Sequence, residues 1–283
     1  MGRKNGIIAM DLDGTVLNRD KKITERTRKA LEAAAESGIW VVPATGRILK
    51  GMPEEVLELP WIRYMILANG AMVWDRETEK CLYRAEIGLE TGLEVFRWLD
   101  GFPVIYDCYQ ENQGWMTASM WDQAEDYAPS PFYLQHIRTL RKPVPDLKEH
   151  VRRSGKSLQK IQAFCRTAEV QREVLAKTAK RFPELAVSTS VTRNAEINDG
   201  RANKGAALAA LAERLGIPME KTAAFGDGTN DLSMLRAAGA GIAMGNAEEA
   251  IRSAADRTTA DNESDGVGIG IETLMRENFW NNG

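Results

Sequence analysis

Two aspartates separated by one residue, Asp11 and Asp13, follow a short apolar run at residues 7–10. Side chains at positions i and i+2 of an extended segment point to the same side, so the two carboxylates should converge. Close carboxylates repel each other unless a cation or a shared proton lies between them. The pattern therefore favours a site for a hard cation such as Mg²⁺, which binds carboxylates, water and phosphate oxygens.

The same spacing also occurs in calcium loops and in simple turns. A calcium loop needs a glycine at its sixth position and a glutamate at its twelfth. Counted from Asp11, these positions hold Val16 and Lys22, which excludes a calcium loop. A simple turn stays open for this segment considered alone, because aspartate and glycine are common turn residues.

The composition is that of a soluble globular protein, with 43% hydrophobic and 27% charged residues among 283, enough for one large domain or two. The net charge of −3 gives no basic surface for nucleic acid. No apolar run approaches the roughly 20 residues that span a bilayer, and the first residues lack the features of a secretory signal. Cys81, Cys108 and Cys165 are widely spaced and resemble no zinc pattern, which favours reduced thiols. We therefore expect a cytoplasmic protein that binds neither nucleic acid nor membranes, with its oligomeric state open.

Strand-like apolar runs alternate with helical patterns in the first and the last part of the chain. Thr24 is a candidate N-cap of the first helix, and Gly38 is its C-terminal stop. The predicted elements are a strand at 7–10, a helix at 24–37, a strand at 39–44, a short helix at 51–59, a strand at 64–68, a helix at 203–215, a strand at 222–225, a helix at 232–238, a strand at 241–244 and a helix at 247–254. Strands separated by helices predict an α/β fold, a Rossmann-like parallel sheet with helices on both faces.

The character of the chain changes between these two parts. The segments that replace the regular alternation are strand-like runs at 104–109, 115–117, 161–165, 185–190 and 191–197, a proline-rich stretch at 128–146 and a helix around 169–181. We therefore predict an inserted α+β domain at 85–192, and a core domain formed by 1–84 and 193–283.

Three further polar patterns fall where strands of the core sheet should end, which is where open α/β sheets bind ligands. The hydroxyl of Thr45 beside Gly46 would let a side chain and a backbone N–H approach one phosphate oxygen, although an ordinary turn is the commoner explanation for this pair. Lys204 begins a helix, where a positive charge is unfavourable unless an anion lies nearby. A solvated surface lysine is the alternative reading of that residue.

The last pattern runs from Gly226 to Asp231 and contains two acids, an amide and two glycines. Such a segment at the end of a strand offers a second set of hard oxygen ligands. Asp231 could instead cap the helix that follows. Asp227 has no such structural explanation, so it is the stronger candidate for metal binding.

Together the four patterns resemble the motifs of the haloacid dehalogenase superfamily. The motifs are Asp11-Leu12-Asp13-Gly14-Thr15, Thr45-Gly46-Arg47, Lys204-Gly205 and Gly226-Asp227-Gly228-Thr229-Asn230-Asp231. Their order, and the long insertion between the second and the third, resemble the Cof-type phosphatases with a type IIB cap domain. The segments Leu67-Ala68-Asn69-Gly70-Ala71 and Asp265-Gly266-Val267 also resemble that branch. The resemblance covers essentially the whole chain.

The resemblance implies a role for each motif residue. Asp11 would attack phosphorus and form an aspartyl-phosphate, and Asp13 would protonate the leaving oxygen and then activate water. Mg²⁺ would be held by the Asp11 carboxylate, the Asp13 backbone carbonyl and Asp227. The residues that would hold the phosphoryl oxygens are Thr45, Gly46, Lys204 and Asn230, and those in supporting roles are Asp231 and Arg47.

The cap domain of this family selects the leaving group. The candidate specificity residues are Tyr109 and Trp115 in the predicted cap and Asn69 in the core. The two aromatic rings could stack on a sugar face or a flat ring, but packing in a small domain is the commoner role of such rings.

The resemblance implies a Mg²⁺-dependent phosphatase that acts on small phosphorylated metabolites, sugar phosphates included. Two other functions stay open. A phosphomutase uses the same four motifs but returns the phosphoryl group to a sugar. A non-catalytic regulator that binds phosphometabolites would retain the fold, but it would not need Asp11, Asp13, Lys204 and Asp227 together.

Overall fold

The protein forms two compact units in a computed structural model that describes residues 5–189 and 191–281. Within these ranges the first unit comprises residues 5–47, 52–84 and 203–281, and the second comprises 48–51 and 85–202. The second unit thus interrupts the sequence of the first.

Both units combine strands with helices. The strands are β1 (Gly6–Met10), β2 (Ile39–Pro43), β3 (Tyr64–Leu67), β4 (Met72–Asp75), β5 (Lys80–Arg84), β6 (Val104–Gln110), β7 (Gln113–Thr117), β8 (Arg141–Val144), β9 (Lys160–Cys165), β10 (Leu185–Ser188), β11 (Asn194–Asp199), β12 (Thr222–Gly226), β13 (Ala240–Ala243) and β14 (Arg257–Thr258). The helices are α1 (Glu25–Glu36), α2 (Glu54–Leu57), α3 (Leu89–Leu99), α4 (Ala118–Asp122), α5 (Ala124–Tyr127), α6 (Pro131–Leu140), α7 (Leu147–Ser154), α8 (Ala168–Arg181), α9 (Lys204–Leu215), α10 (Leu232–Ala237), α11 (Glu249–Arg252) and α12 (Gly266–Arg276). Among the described residues, no helix has both the length and the apolar character needed to cross a membrane.

The first unit is built on a parallel sheet with strand order β14–β13–β12–β1–β2. A parallel bridge between Ala44 and Ile66 adds β3 beyond β2, and β3 continues into an antiparallel sheet with β4 and β5. Every residue of β1 is buried, as expected for a strand with helices on both faces. The prediction of a parallel α/β core is confirmed.

The strand register explains why distant motifs meet. Met10 pairs with Phe225 on one side and with Pro43 on the other, so β1, β2 and β12 end at the same edge of the sheet. The segments that follow these strands therefore begin side by side, although more than half of the sequence separates the first from the last.

The helix that carries the predicted anion-binding lysine begins as the sequence indicates. The Asn203 side chain accepts a hydrogen bond from the Ala206 N–H at 2.8 Å, which makes it the N-cap of α9 and Lys204 the first helical residue. Thr24 caps α1 in the same way, through the N–H of Thr27.

The second unit is an α+β domain around a mixed sheet with strand order β10–β11–β9–β6–β7–β8. Helices α3, α7 and α8 contribute to the main hydrophobic core on one face of this sheet, around Phe96 and Tyr106. Helices α4, α5 and α6 pack on the other face against Ile105, Met116 and Phe164.

The inserted unit extends to residue 202, beyond the boundary predicted at residue 192. The reason is β11, which pairs antiparallel with both β9 and β10 and so belongs to the sheet of the inserted unit. The sequence predicted a strand at 191–197, and the predicted boundary at residue 192 cut through it. One of the predicted strands ends at Ser190, which lies outside the described residues.

The proline-rich stretch contains a helix that the sequence analysis did not predict. Pro131 begins α6, where the fixed φ of proline suits the first helical turn. The Ser130 side chain accepts a hydrogen bond from the Tyr133 N–H and caps this helix. Proline at such a position starts a helix instead of breaking one.

A buried ion pair lies within the sheet of the second unit. Arg141 Nε donates to Asp107 Oδ2 at 2.8 Å, and both side chains are at most 1% exposed. Arg141 also donates to the side chain of Gln162. The arginine passes over Gly114, where an added Cβ would lie 3.1 Å from Arg141 Cγ. Burial raises the pKa of Asp107, and the charge of Arg141 opposes that rise.

Candidate active site

Lys204 lies between two aspartates at the carboxyl edge of the core sheet. Its Nζ donates to Asp11 Oδ1 and to Asp231 Oδ1, both at 2.6 Å, and its side chain is fully buried. Burial lowers the pKa of Lys204, but the two carboxylates outweigh this effect and raise it, so the ammonium group stays charged. The surface-lysine alternative is therefore wrong.

A third carboxylate completes an acidic cluster. Asp11, Asp227 and Asp231 each offer one oxygen, and these oxygens lie within 4.8 Å of one another. Burial raises the pKa of Asp11 to about 8 despite the opposing charge of Lys204. Burial also raises the pKa of Asp227, against a hydrogen bond from Thr15. Three carboxyl groups share one ammonium group, so their joint ionisation is unfavourable without a further cation, and their oxygen donors fit a hard divalent cation such as Mg²⁺.

The three carboxylates are not equivalent. Asp231 Oδ2 accepts hydrogen bonds from the backbone N–H groups of Asp227, at 3.0 Å, and Gly228, at 2.9 Å. Lys204 donates to the other oxygen, so three hydrogen-bond donors fix the Asp231 side chain. Asp231 thereby holds the loop after β12 in place. Asp231 was predicted to cap α10, but among the described contacts its side chain makes no capping hydrogen bond to that helix. Asp11 and Asp227 are the better candidates for metal ligands.

The loop after β1 approaches Asp227 closely because Gly14 has no side chain. Gly14 has φ +83°, and an added Cβ would lie 2.4 Å from Asp227 Oδ2. Thr15 Oγ1 donates to Asp227 Oδ1 at 2.7 Å, and Asn246 Nδ2 donates to the Gly14 carbonyl at 2.9 Å. No role was predicted for Thr15 or Asn246 from the sequence. The signal available for Asn246 was its position just after β13, at the same edge of the sheet.

Asp13 lies in a cluster of cations. Arg47 donates from Nε to Oδ2 at 2.8 Å and from Nη2 to Oδ1 at 2.9 Å, and Lys21 Nζ donates to Oδ1 at 2.8 Å. Burial raises the pKa of Asp13, but the hydrogen bonds and charges of Arg47 and Lys21 outweigh it and lower the pKa to about 2. Lys21, which was not among the predicted site residues, has a left-handed φ of +59°. Asp13 is therefore an oriented carboxylate in this structure.

The remaining core residues lie around Asn69. Asn230 Nδ2 donates to Asn69 Oδ1 at 3.2 Å, and the backbone of Asn69 bonds to that of Thr45. Thr45 is buried, and its hydroxyl accepts a hydrogen bond from the Arg47 N–H at 3.2 Å. Contacts thus join all four predicted motifs within the first unit.

The two predicted aromatic specificity residues belong to the second unit. Tyr109 is buried, with Arg141 Cζ and Lys160 Nζ at 5.0 and 5.3 Å from its ring centre. Trp115 packs against the main core of that unit, with its ring centre 4.3 Å from that of His150. Both residues thus make packing contacts within that unit, and the specificity role proposed for them stays a prediction.

The fold and the acidic edge of the sheet are those of a hydrolase superfamily. The chain belongs to the haloacid dehalogenase-like hydrolases, whose family model matches residues 8–271. It is an enzyme of the phosphoric monoester hydrolase class.

Relatives from Bacillus subtilis (strain 168) carry more specific names. The chain is 32% identical over 292 residues to phosphatase YwpJ, covering 95% of this chain and 99% of the relative. It is 30% identical over 270 residues to 5-amino-6-(5-phospho-D-ribitylamino)uracil phosphatase YcsE, covering 94% of each. A solved haloacid dehalogenase-like hydrolase from B. subtilis superposes with a TM-score of 0.80 at 30% identity, covering 95% of this chain and 99% of that one.

Proposed function

We propose that this protein is a Mg²⁺-dependent phosphatase that hydrolyses small phosphorylated metabolites through an aspartyl-phosphate. The observation that carries the proposal is the buried Lys204, which joins Asp11 to Asp231 while Asp227 lies within the same cluster. Removing an ammonium group and two carboxylates from water is costly, and a ligand that uses these charges would offset that cost. A phosphoryl group is such a ligand, since it needs positive charge as well as a nucleophile.

In the first step, the Asp11 carboxylate attacks phosphorus and the bond from phosphorus to the leaving oxygen breaks. Lys204, Thr45, Gly46 and Asn230 hold the phosphoryl oxygens during this transfer. Asp13 takes up a proton from solvent as the phosphate binds and gives it to the leaving oxygen. The negative charge of a bound phosphate favours the protonated form of Asp13, which is the form an acid requires.

In the second step, water attacks the phosphorus of the aspartyl-phosphate and restores Asp11. Asp13, now a carboxylate again, accepts a proton from that water. Arg47 and Lys21 hold both oxygens of Asp13 in the structure, so they orient the residue that must act in both steps.

Mg²⁺ would be held by the carboxylates of Asp11 and Asp227 and by the Asp13 carbonyl, and it would supply the positive charge that lets an anionic nucleophile approach an anionic phosphate. Thr15 and Asn246 support this assignment by fixing Asp227 and the loop of Gly14. Asp231 keeps the supporting role, because its oxygens already accept three hydrogen bonds.

The substrate class is a small phosphate monoester. The relative named for 5-amino-6-(5-phospho-D-ribitylamino)uracil supports testing phosphorylated polyols and sugars first, followed by other phosphometabolites. Release of inorganic phosphate, read for each compound, distinguishes hydrolysis from transfer of the phosphoryl group to a sugar.

Removal of divalent metal is the direct test of the proposed chemistry. Treatment with a chelator should lower the release of phosphate from p-nitrophenyl phosphate by at least about 100-fold, because a metal ion contributes several kcal/mol of charge stabilisation. Adding Mg²⁺ back should restore the rate. Full activity in protein shown to be free of metal would refute the proposed role of the acidic cluster.

Replacement of Asp13 by asparagine should slow turnover by roughly 10²- to 10⁴-fold. p-Nitrophenol leaves readily without a proton, so the first step should survive and the second should fail. We therefore expect a burst of about one p-nitrophenol per chain, measured by stopped-flow absorbance, followed by slow turnover. Alkyl phosphates, which need a proton on the leaving oxygen, should give no burst. A uniform slowing of both substrate types without a burst would contradict this role.

A further inference from the structure

Three consecutive residues after β3 have left-handed backbone conformations. Ala68 has φ +50°, Asn69 has φ +60° and Gly70 has φ +94°. Positive φ is uncommon for residues other than glycine, and alanine in particular gains nothing from it locally. Such strain persists only where the surroundings impose it, and it is concentrated at functional sites.

The backbone of this turn holds the loop that contains Thr45. The N–H of Ala68 donates to the Arg47 carbonyl at 2.9 Å, and the N–H of Asn69 donates to the Thr45 carbonyl at 3.0 Å. Just before the turn, the Ile66 carbonyl accepts from the Thr45 N–H at 2.9 Å. Three hydrogen bonds thus bind the loop to the end of β3.

The same turn packs against the start of α9. A Cβ added to Gly70 would lie 2.3 Å from the Asn203 carbonyl oxygen and 2.8 Å from the Lys204 nitrogen. Only glycine permits this approach, because both the positive φ and the short distance exclude a side chain. The turn therefore sets the position of the helix that carries Lys204.

The side chain of Asn69 reaches the remaining segments. Its Oδ1 accepts the hydrogen bond from Asn230 Nδ2 at 3.2 Å and would lie 2.8 Å from a Cβ at Gly46. Asn69 is only 7% exposed, so it has little surface on which to select a leaving group.

We propose that Asn69 is a positioning residue for phosphate binding, acting through Asn230, and that the strained turn at 68–70 sets the spacing of the phosphate-binding segments. This inference rests on the proposed function, and it replaces the specificity role predicted for Asn69 from the sequence. A positioning residue affects every phosphate ester alike, whereas a specificity residue affects some leaving groups and not others.

The test is Asn69→Gly, which removes the side chain while glycine accepts the left-handed backbone. Asn278→Gly is the matched control, because Asn278 has φ +54° in the same unit and is exposed. We expect Asn69→Gly to lower kcat/KM by about 10- to 100-fold for aryl, sugar and polyol phosphates alike, since small misplacements of catalytic groups cost this much. Its affinity for inorganic phosphate in Mg²⁺, measured by calorimetry, should fall as well. The control should match the wild type.

A double-mutant cycle with Asn230→Ala tests whether Asn69 acts through Asn230. The double variant should lose little more phosphate affinity than either single variant, because contacting residues that act together are not additive. Additive losses, an unchanged Asn69→Gly variant or losses confined to certain leaving groups would overturn the inference. Phosphate binding is measured without turnover, so failure of the inference is distinguishable from failure of the proposed reaction. If the proposed reaction fails, the wild type and the control also release no phosphate.

Discussion

Replacement of Asp11 by asparagine is expected to lower phosphate release by at least about 10⁴-fold, the scale of loss when an enzyme loses its nucleophile. The amide has nearly the same shape as the carboxylate but cannot attack phosphorus to form the covalent intermediate. The measurement is the steady-state release of phosphate from p-nitrophenyl phosphate in Mg²⁺. No burst of p-nitrophenol should appear, in contrast to the Asp13→Asn variant.

The same substitution should not destabilise the protein. Burial raises the pKa of Asp11 to about 8, so the folded state binds a proton more tightly than the unfolded state does. Stability is then lost as the pH rises from the unfolded pKa towards 8, so at neutral pH this aspartate already costs the fold part of its stability. Asparagine removes this cost, so the thermal midpoint without metal should stay equal or rise.

Asp20→Asn is the matched control, because Asp20 is exposed and belongs to the same unit. It should retain wild-type turnover. If Asp11→Asn kept substantial activity, the nucleophile would have to be another group. If the variant were inactive because it had unfolded, its circular dichroism spectrum would reveal this.

Replacement of Arg141 by methionine should lower the free energy of unfolding of the inserted unit by about 3–5 kcal/mol. The loss arises because Asp107 would remain buried without its counter-charge, and Oδ1 of Asp107 has no hydrogen-bond partner among the described residues even with Arg141 in place. Urea unfolding followed by circular dichroism, compared between each variant and the wild type, provides the measurement.

Two comparisons make this prediction specific. Arg152→Met removes an exposed ion pair with Glu149 and should change stability by less than about 1 kcal/mol. Adding Asp107→Leu to Arg141→Met should recover much of the loss, because the stranded charge is then gone. A loss as large in Arg152→Met as in Arg141→Met would show that buried charge is not the cause.

Much of the candidate site follows from local sequence. An apolar run that ends in Asp11 predicts a buried strand with polar groups at its carboxyl end, and the same logic applies to Asp227. Since parallel strands end at one edge, their juxtaposition needs only the fold class. Asn203 also caps α9, as is expected of an asparagine immediately before a helix.

Other features depend on tertiary contacts that local patterns do not encode. Lys21 reaches Asp13 from a left-handed backbone, a state that lysine has no local reason to adopt. The turn of Ala68 and Asn69 is forced by its neighbours in the same way. β11 belongs to the inserted unit because its pairing partners lie there, and the residues of one strand do not encode its partners.

The strand order of the core sheet has a consequence for the order of assembly during synthesis. The pairing of β1 with β2 joins segments that leave the ribosome close together, whereas the pairing of β1 with β12 must wait for the whole inserted unit. Long-range pairing of this kind is slow because a large loop must close first. A nascent chain therefore carries Asp11 long before it carries Lys204 or Asp227. The acidic cluster can therefore form only late, when β12 docks beside β1.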